Sequence, residues 1–293
     1  MSNQITTANV LQFGTNVALL SQQVGSRLRS CVTTGSHTGK AAAVVEQFGS
    51  VEPVELNVRH ADTPVIETPE ARRWVSPKNF GGGDMFDEED AVRILIDPKN
   101  VYARAQAAGM GRAIDRALIA AAKGTSKVGE DGTTNEAFDT ANYQIAAGGT
   151  GLTIQKLVQA REKMMAANVN PDDEFYVIVA QKHITDLLSA GVVNNYVTPI
   201  VTSNDFFPQG QMSPLMSAQI PLIAGFRLIQ TQLTLNTECI AFAKSGLYLG
   251  VWADIQSYVN QIPSKSMNWL IQTKATFGAT RLEQGKVVSI LTT

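Results

Sequence analysis

Residues 97 to 124, DPKNVYARAQAAGMGRAIDRALIAAAKG, constrain the fold most, because they mark one long helix at both ends. Asp97 can accept from the open N–H groups of a first turn, Pro98 suits the first helical position, and Gly124 can supply a left-handed residue past the end. At about 1.5 Å per residue such a rod spans on the order of 40 Å, well beyond the common globular helix of about 11 to 12 residues. Val101, Tyr102, Ala105, Ala108, Ile114, Leu118 and Ala122 recur mostly every three or four positions. This spacing predicts one narrow apolar stripe, on which alanine lets a strand approach closely. Arg104, Arg112, Asp115 and Arg116 are expected on the wetter side. The plain reading is a long helix lying on a sheet.

The segments before this helix cannot cover themselves. Residues 1 to 30 are polar, yet Val10, Phe13, Val17, Leu20 and Val24 repeat at three and four, an apolar stripe too thin to fold alone. It must lie on its own domain or reach a neighbouring chain as an arm. Val54, Leu56 and Val58 then alternate with Glu55, Asn57 and Arg59, the period of a half-covered strand. After HADTPVIETPE, broken by Pro64 and Pro69, an extended run resumes at Arg72, Arg73, Trp74 and Val75. Residues 43 to 80 therefore read as a long two-stranded hairpin with its tip near 61 to 69, marginal in water unless another surface covers it. GGGDMFDEED follows, a flexible glycine stretch running into Asp84, Asp87, Glu88, Glu89 and Asp90. It lacks the ligand spacing and central glycine of a calcium loop, so an acidic contact surface is expected rather than a metal site. Arg72 and Arg73 are opposite in sign and would suit the acidic segment of a neighbouring subunit.

Beyond the helix, residues 124 to 151 read as loop. Ile154, Leu157, Val158, Arg161, Met164 and Met165 predict an amphipathic helix starting after Thr153, residues 175 to 179 a short buried strand, and residues 183 to 189 another helix. This alternation indicates an α/β layer. Residues 191 to 221, with Pro199, Pro208 and Pro214, form a long irregular stretch of the sort that usually contacts something. Strands are expected at 226 to 233, 239 to 243 and 247 to 252. The tail from Asp254 is almost all extended, and Val287, Val288 and Ile290 close a sheet.

The 293 residues suffice for two domains or one elaborated one, with 44% hydrophobic and only 17% charged. A net charge of −2 provides no basic field for gripping nucleic acid. Cys31 and Cys239 form neither a CxxC nor a framework, which fits a reducing compartment. No apolar run approaches the roughly 18 residues that cross a bilayer, and the N-terminus lacks a signal pattern, so a cytoplasmic protein without membrane contact is expected. Catalytic chemistry has nothing to rest on. Gly35 to Lys40, GSHTGK, misses the phosphate-loop spacing and has Ala41 where a metal-binding hydroxyl is needed. His37, His60 and His183 are dispersed, without HExxH or GxSxG partners, and His183 reads as a capping or surface residue. No catalytic, cofactor or metal residue is assigned.

The order of parts is an arm, a long hairpin, a capped long helix, an α/β unit with a long loop, and a strand-rich return. It resembles the major capsid proteins of tailed bacteriophages, an α+β fold of the Hong Kong 97 type. ADTPVIETPEARRWV, DEEDAVRILIDPKNVYARAQAAGMGRAIDRALIAAAKGT and FGATRLEQGKVVSI carry the likeness; the middle third matches only in layout. The resemblance implies an N-arm at 1–40, an extended E-loop at 41–92, and a P-domain at 93–150 with its spine helix at 98–123. An α/β A-domain at 151–247 and P-domain strands at 248–293 complete it. It implies pentamers and hexamers in an icosahedral shell around double-stranded DNA, held without sequence-specific binding, in a virion assembled in the bacterial cytoplasm. A portal protein at one vertex, a separate scaffolding protein and a cement or decoration protein are the implied partners. Val10, Phe13, Val17, Leu20, Arg72, Arg73, Trp74, Asp84, Asp87, Glu88 and Glu89 are the candidate inter-subunit contacts. The namesake's hairpin lysine, which bonds covalently to a neighbour's asparagine, has no counterpart from Ala41 to Pro77; packing is expected to hold the shell instead. An encapsulin-like nanocompartment shares the fold and stays open as an alternative; a soluble enzyme is the alternative of another class.

Overall fold

Three sheets and one long helix carry the architecture in the computed structural model, which describes residues 23–40, 42–48, 55, 70–86, 98–193 and 222–293. The predicted arm residues Val10, Phe13, Val17 and Leu20, the hairpin tip, the acidic residues Asp87, Glu88 and Glu89, the cap Asp97 and the loop at 194–221 lie outside the described residues. In chain order the elements are β1 (Thr33–Ser36), β2 (Ala42–Phe48), β3 (Glu70–Val75), β4 (Lys78–Phe86) and α1 (Pro98–Lys123). Then come β5 (Ser126–Val128), β6 (Thr134–Glu136), α2 (Thr140–Tyr143), β7 (Gln144–Ile145), α3 (Ile154–Ala166), β8 (Phe175–Val179) and α4 (Gln181–Val193). The last six are β9 (Leu222–Ile223), β10 (Phe226–Gln230), β11 (Glu238–Ala243), β12 (Leu247–Ile262), β13 (Asn268–Arg281) and β14 (Val287–Leu291).

The six-stranded sheet, ordered β7-β14-β11-β8-β10-β9, explains the unbroken apolar strings FYVIV and ECIAFA. Both of its faces are covered, so alternation gives way to continuous hydrophobicity. Phe175, Val177 and Val179 point to the cluster with Leu157, Met164, Ile184 and Leu187 of α3 and α4. Tyr176 and Ile178, one residue out of phase, join Met110, Ile114 and Leu118 of α1. The opposite side of α1 lies along the four-stranded sheet β1-β12-β13-β4, where Ala275 and Phe277 enter the same cluster. The long helix is thus a shared layer between two sheets. Burying one leucine such as Leu118 completely contributes about 1.5–3 kcal/mol.

Helix α1 begins and ends where its sequence predicts, but its C-terminal cap is different. Gly124 is not left-handed; its N–H still donates to Ala120 O at 2.8 Å. The open carbonyls are capped from afar: the Arg281 guanidinium donates to Ala122 O and Gly124 O, both at 2.9 Å. A cation at this end also opposes the negative pole of the helix. Asp115, expected on a wet face, is fully buried.

Four further expectations change. The glycine stretch Gly81–Gly83 is not loose but part of β4, paired antiparallel to β13 with Asp84 opposite Ile271. The hairpin is therefore β2 with β3, and residues 78 to 80 belong to another sheet. Residues 124 to 151 are not all loop, since β5 and β6 form a short hairpin that extends the sheet to β2-β3-β5-β6. The C-terminal residues do not return as one unit: β12 and β13 flank α1, whereas β14 inserts between β7 and β11 in the six-stranded sheet. Finally, α4 runs through Val193, so residues 191 to 193 are helical, and the predicted core residue Val158 is 46% exposed.

Candidate assembly surface

Three places decide which parts of the chain stay on its own body and which are left for others. The first is where the N-terminal segment meets α1. Asp115 Oδ2 accepts from Arg27 N and Oδ1 from Leu28 N, each at 3.1 Å, and the carboxylate also accepts from Ser26 Oγ and Gln23 Nε2. Arg112 donates to Gln23 O at 3.0 Å. The crossing is so close that a Cβ on Gly111 would lie 2.4 Å from the carbonyl carbon of Gly25. Four donors on one buried carboxylate, with hydrogen bonds to a charged group worth about 1.5–3 kcal/mol each before desolvation, make this a fixed root. Val24, the last residue of the predicted arm stripe, is instead 74% exposed. Arg29 makes a two-toothed pair with Asp254 at 2.8 and 2.9 Å, on the surface, where such pairs are worth about 0–1 kcal/mol.

The second place is the base of the β2–β3 hairpin, where two predicted contact residues have partners within the chain. Arg73 is buried and its guanidinium pairs with Glu136 on β6 of the same chain. Gln284 Nε2 donates to the other oxygen of Glu136 at 3.0 Å. Burial works to raise the Glu136 carboxyl, but the hydrogen bonds from Arg73 and Gln284 outweigh it and hold it below the ordinary value. Trp74 donates from Nε1 to Gly129 O at 2.8 Å and lies over Gly132, where φ is +66° and a Cβ would come within 2.7 Å of the ring. Arg73 and Trp74 therefore anchor the hairpin internally. Arg72 is half-buried on the same strand, and Asp84 is exposed on β4 with Oδ1 accepting from Met85 N at 2.9 Å. Arg281, pushed down to about 10 by burial yet still a cation at neutral pH, lies 5.2 Å over the Phe138 ring and completes the cluster.

The third place is the far half of the β12–β13 hairpin, which sequence reading treated only as an extended tail. Its strands have 16 and 14 residues. On β13, Ile271, Thr273, Ala275 and Phe277 are buried on alternate positions, with Gln106 of α1 donating to Ile271 O at 3.1 Å. On β12, every residue from Gln256 to Gln261 is exposed, so neither face is covered there. Tyr258, Val259, Met267 and, on adjoining β4, Met85 are large apolar side chains in water. Strand β1 pairs with β12 only from Tyr248 to Val251. From Trp252 onward the outer edge of β12 pairs with no other strand among the described residues. The signals were present in the sequence: Asp115 is the one carboxylate in its helix, and the stretch 255 to 262 carries no charge.

Two other groups that sequence reading missed or placed on the surface are structural. Lys156 is buried, its ammonium donating to Ala147 O, Thr150 O, Gly151 O and Leu291 O at 2.8, 2.8, 2.9 and 3.2 Å, and burial lowers its pKa. His183 does cap, accepting from Ala180 N at 3.0 Å through Nδ1, but it is fully buried rather than on the surface.

A fold of this layout, with uncovered limbs on a doubly packed spine, belongs to shell-building proteins, and comparison bears this out. The phage capsid protein family matches residues 5–293, and the chain belongs to that family. It is a structural, non-enzymatic protein: a major capsid protein that builds the virion shell from copies of itself, with the Hong Kong 97-type fold. The capsid of cyanophage P-SCSP1u is similar with a TM-score of 0.74 at 12% identity, over 100% of this chain and 95% of that one. The capsid of Ralstonia phage GP4 gives 0.72 at 9%, over 97% and 95%. The head of Helicobacter pylori bacteriophage KHP40 gives 0.69 at 10%, over 99% and 98%. No curated protein sequence matches.

Proposed function

We propose that the chain assembles as pentamers and hexamers into an icosahedral shell around double-stranded DNA, inside the cytoplasm of a bacterial host. The observation that carries this is the distal β12–β13 limb: six successive exposed residues on β12 and an edge unpaired among the described residues form a surface that a neighbouring copy would cover. Residues 1–40 serve as arm and the β2–β3 part of 41–92 as the extended loop, with β4 joining the sheet of β12 and β13. The body of 93–150 with β12 and β13 forms the peripheral domain, and 151–247 with β14 the axial one. A portal at one vertex, a separate scaffolding protein and a cement protein are the partners this reading supplies. The net charge of −2 fits DNA contained rather than gripped.

Negative-stain microscopy of the expressed protein tests the reading. Shells, rings or tubes are expected; a lone 31.5 kDa species at every concentration and salt would overturn it. Nuclease-protected DNA in native particles separates a virion from a nanocompartment filled with enzyme.

A further inference from the structure

We infer that the open edge of β12 is a two-fold contact, at which the same edge of a second copy adds as an antiparallel strand centred between Gln256 and Gln261. The inference rests on the shell reading above and adds where, and in what symmetry, two copies join.

The edge is unpaired among the described residues from Trp252 to Ile262. Register irregularities occur between Val251 and Gln256, where the β1 pairing stops; from Gln256 to Ile262 the pairing with β13 is regular, so the outer backbone groups form an even row. Soluble proteins guard such rows with lysine, proline, bulges or covering loops. Here residues 255 to 262, IQSYVNQI, carry neither a charge nor a proline, and Pro263 follows only at the turn. Open N–H and C=O groups give a backbone partner its affinity, and alternate side chains give it register.

A second copy is the occupant because the protein builds its shell from itself. Among the other described strands at sheet edges, β6, β7 and β9 have three residues or fewer and β1 has four. β4 carries Gly81–Gly83 at the middle of its length, and glycine specifies register weakly. β2 carries Glu46. β12 suits itself: an antiparallel pair of identical uncharged strands sets no like charges opposite each other, and both open edges are satisfied by one contact.

The experiment is a single-cysteine scan from Gln256 to Gln261 in the full chain, assembled and then mildly oxidised. Cys31 and Cys239 are buried and leave the readout clean. A disulfide between identical residues requires a two-fold axis beside them, since opposite Cα atoms in a strand pair stand about 4.5–5.5 Å apart. Covalent dimers on a non-reducing gel are expected at one position or two adjacent ones and not two residues farther along, where identical residues stand about 14 Å apart. Absence of dimers at all six positions in shells of normal appearance would overturn the inference and leave the shell reading standing, whereas absence of any assembly would remove both. Tyr258→Lys gives a second readout: with circular dichroism unchanged, it is expected to abolish shells, and normal shells from it would count against the contact.

Discussion

Asp115 shows how one side chain settles where a limb begins. A carboxylate taken fully out of water is costly unless its lone pairs are filled, and here two backbone N–H groups, a serine hydroxyl and a glutamine amide fill them. Asp115→Ala leaves those donors unmet and is expected to lower unfolding free energy by about 3 kcal/mol, measured as a drop in the urea midpoint with unchanged slope. Asp115→Asn keeps one acceptor oxygen and should lose less. Periodicity in the sequence assigned this residue to water because a helical repeat describes a single covered face. The partners that bury it, residues 23 to 28, are some 90 positions away in sequence, a relation that local spacing does not encode.

At the scale of elements, the hairpin β2–β3 is carried by the Arg73–Glu136–Gln284 cluster and by Trp74 on Gly132. Because the Glu136 carboxyl is held below its ordinary value, the folded state favours its ionised form. That contribution is fully present above the unfolded value of about 4.3 and is lost as pH falls through the lower folded value. The protection of β3 amides from exchange, taken relative to the intrinsic rate at each pH, is therefore expected to fall below about pH 4 in the wild type. Glu136→Gln should flatten this response while raising exchange at neutral pH. Elements set by local signals were legible: α1 from its proline start and alanine-rich length, α3 from its spacing and the Thr153 cap, β8 and β11 from their apolar strings. Elements set by distant pairing were not. Glycine is depleted from strands, so Gly81–Gly83 read as loose, and only the register with Ile271–Lys274 makes them β4. The same holds for β5 and β6, three residues each, which depend on β3 for their existence.

For the whole molecule, low charge and open backbone edges decide how copies attract. With 17% charged residues and a net charge of −2, contact between copies should rest on apolar area and strand pairing more than on ion pairs. The concentration at which light scattering reports assembly is thus expected to stay level or fall between 50 and 500 mM salt, roughly the range over which screening shortens from beyond 10 Å to about half that. A steep rise would mean that ion pairs hold the shell. Limbs that cannot cover themselves are visible in composition, but which side chains find distant partners within the chain is not: Arg73 and Trp74 pair with Glu136 and Gly129, whereas Tyr258, bonded to Gln256 two residues back on its own strand, stays exposed.

The insertion of β14 between β7 and β11, together with Arg281 closing the end of α1, has a bearing on synthesis. The interior sheet lacks a middle strand, and the spine its plug, until residue 291 has left the ribosome. A prematurely terminated product would therefore lack a finished body and could not take a place beside complete ones, so the chain's own topology screens out defective building blocks before they reach the particle.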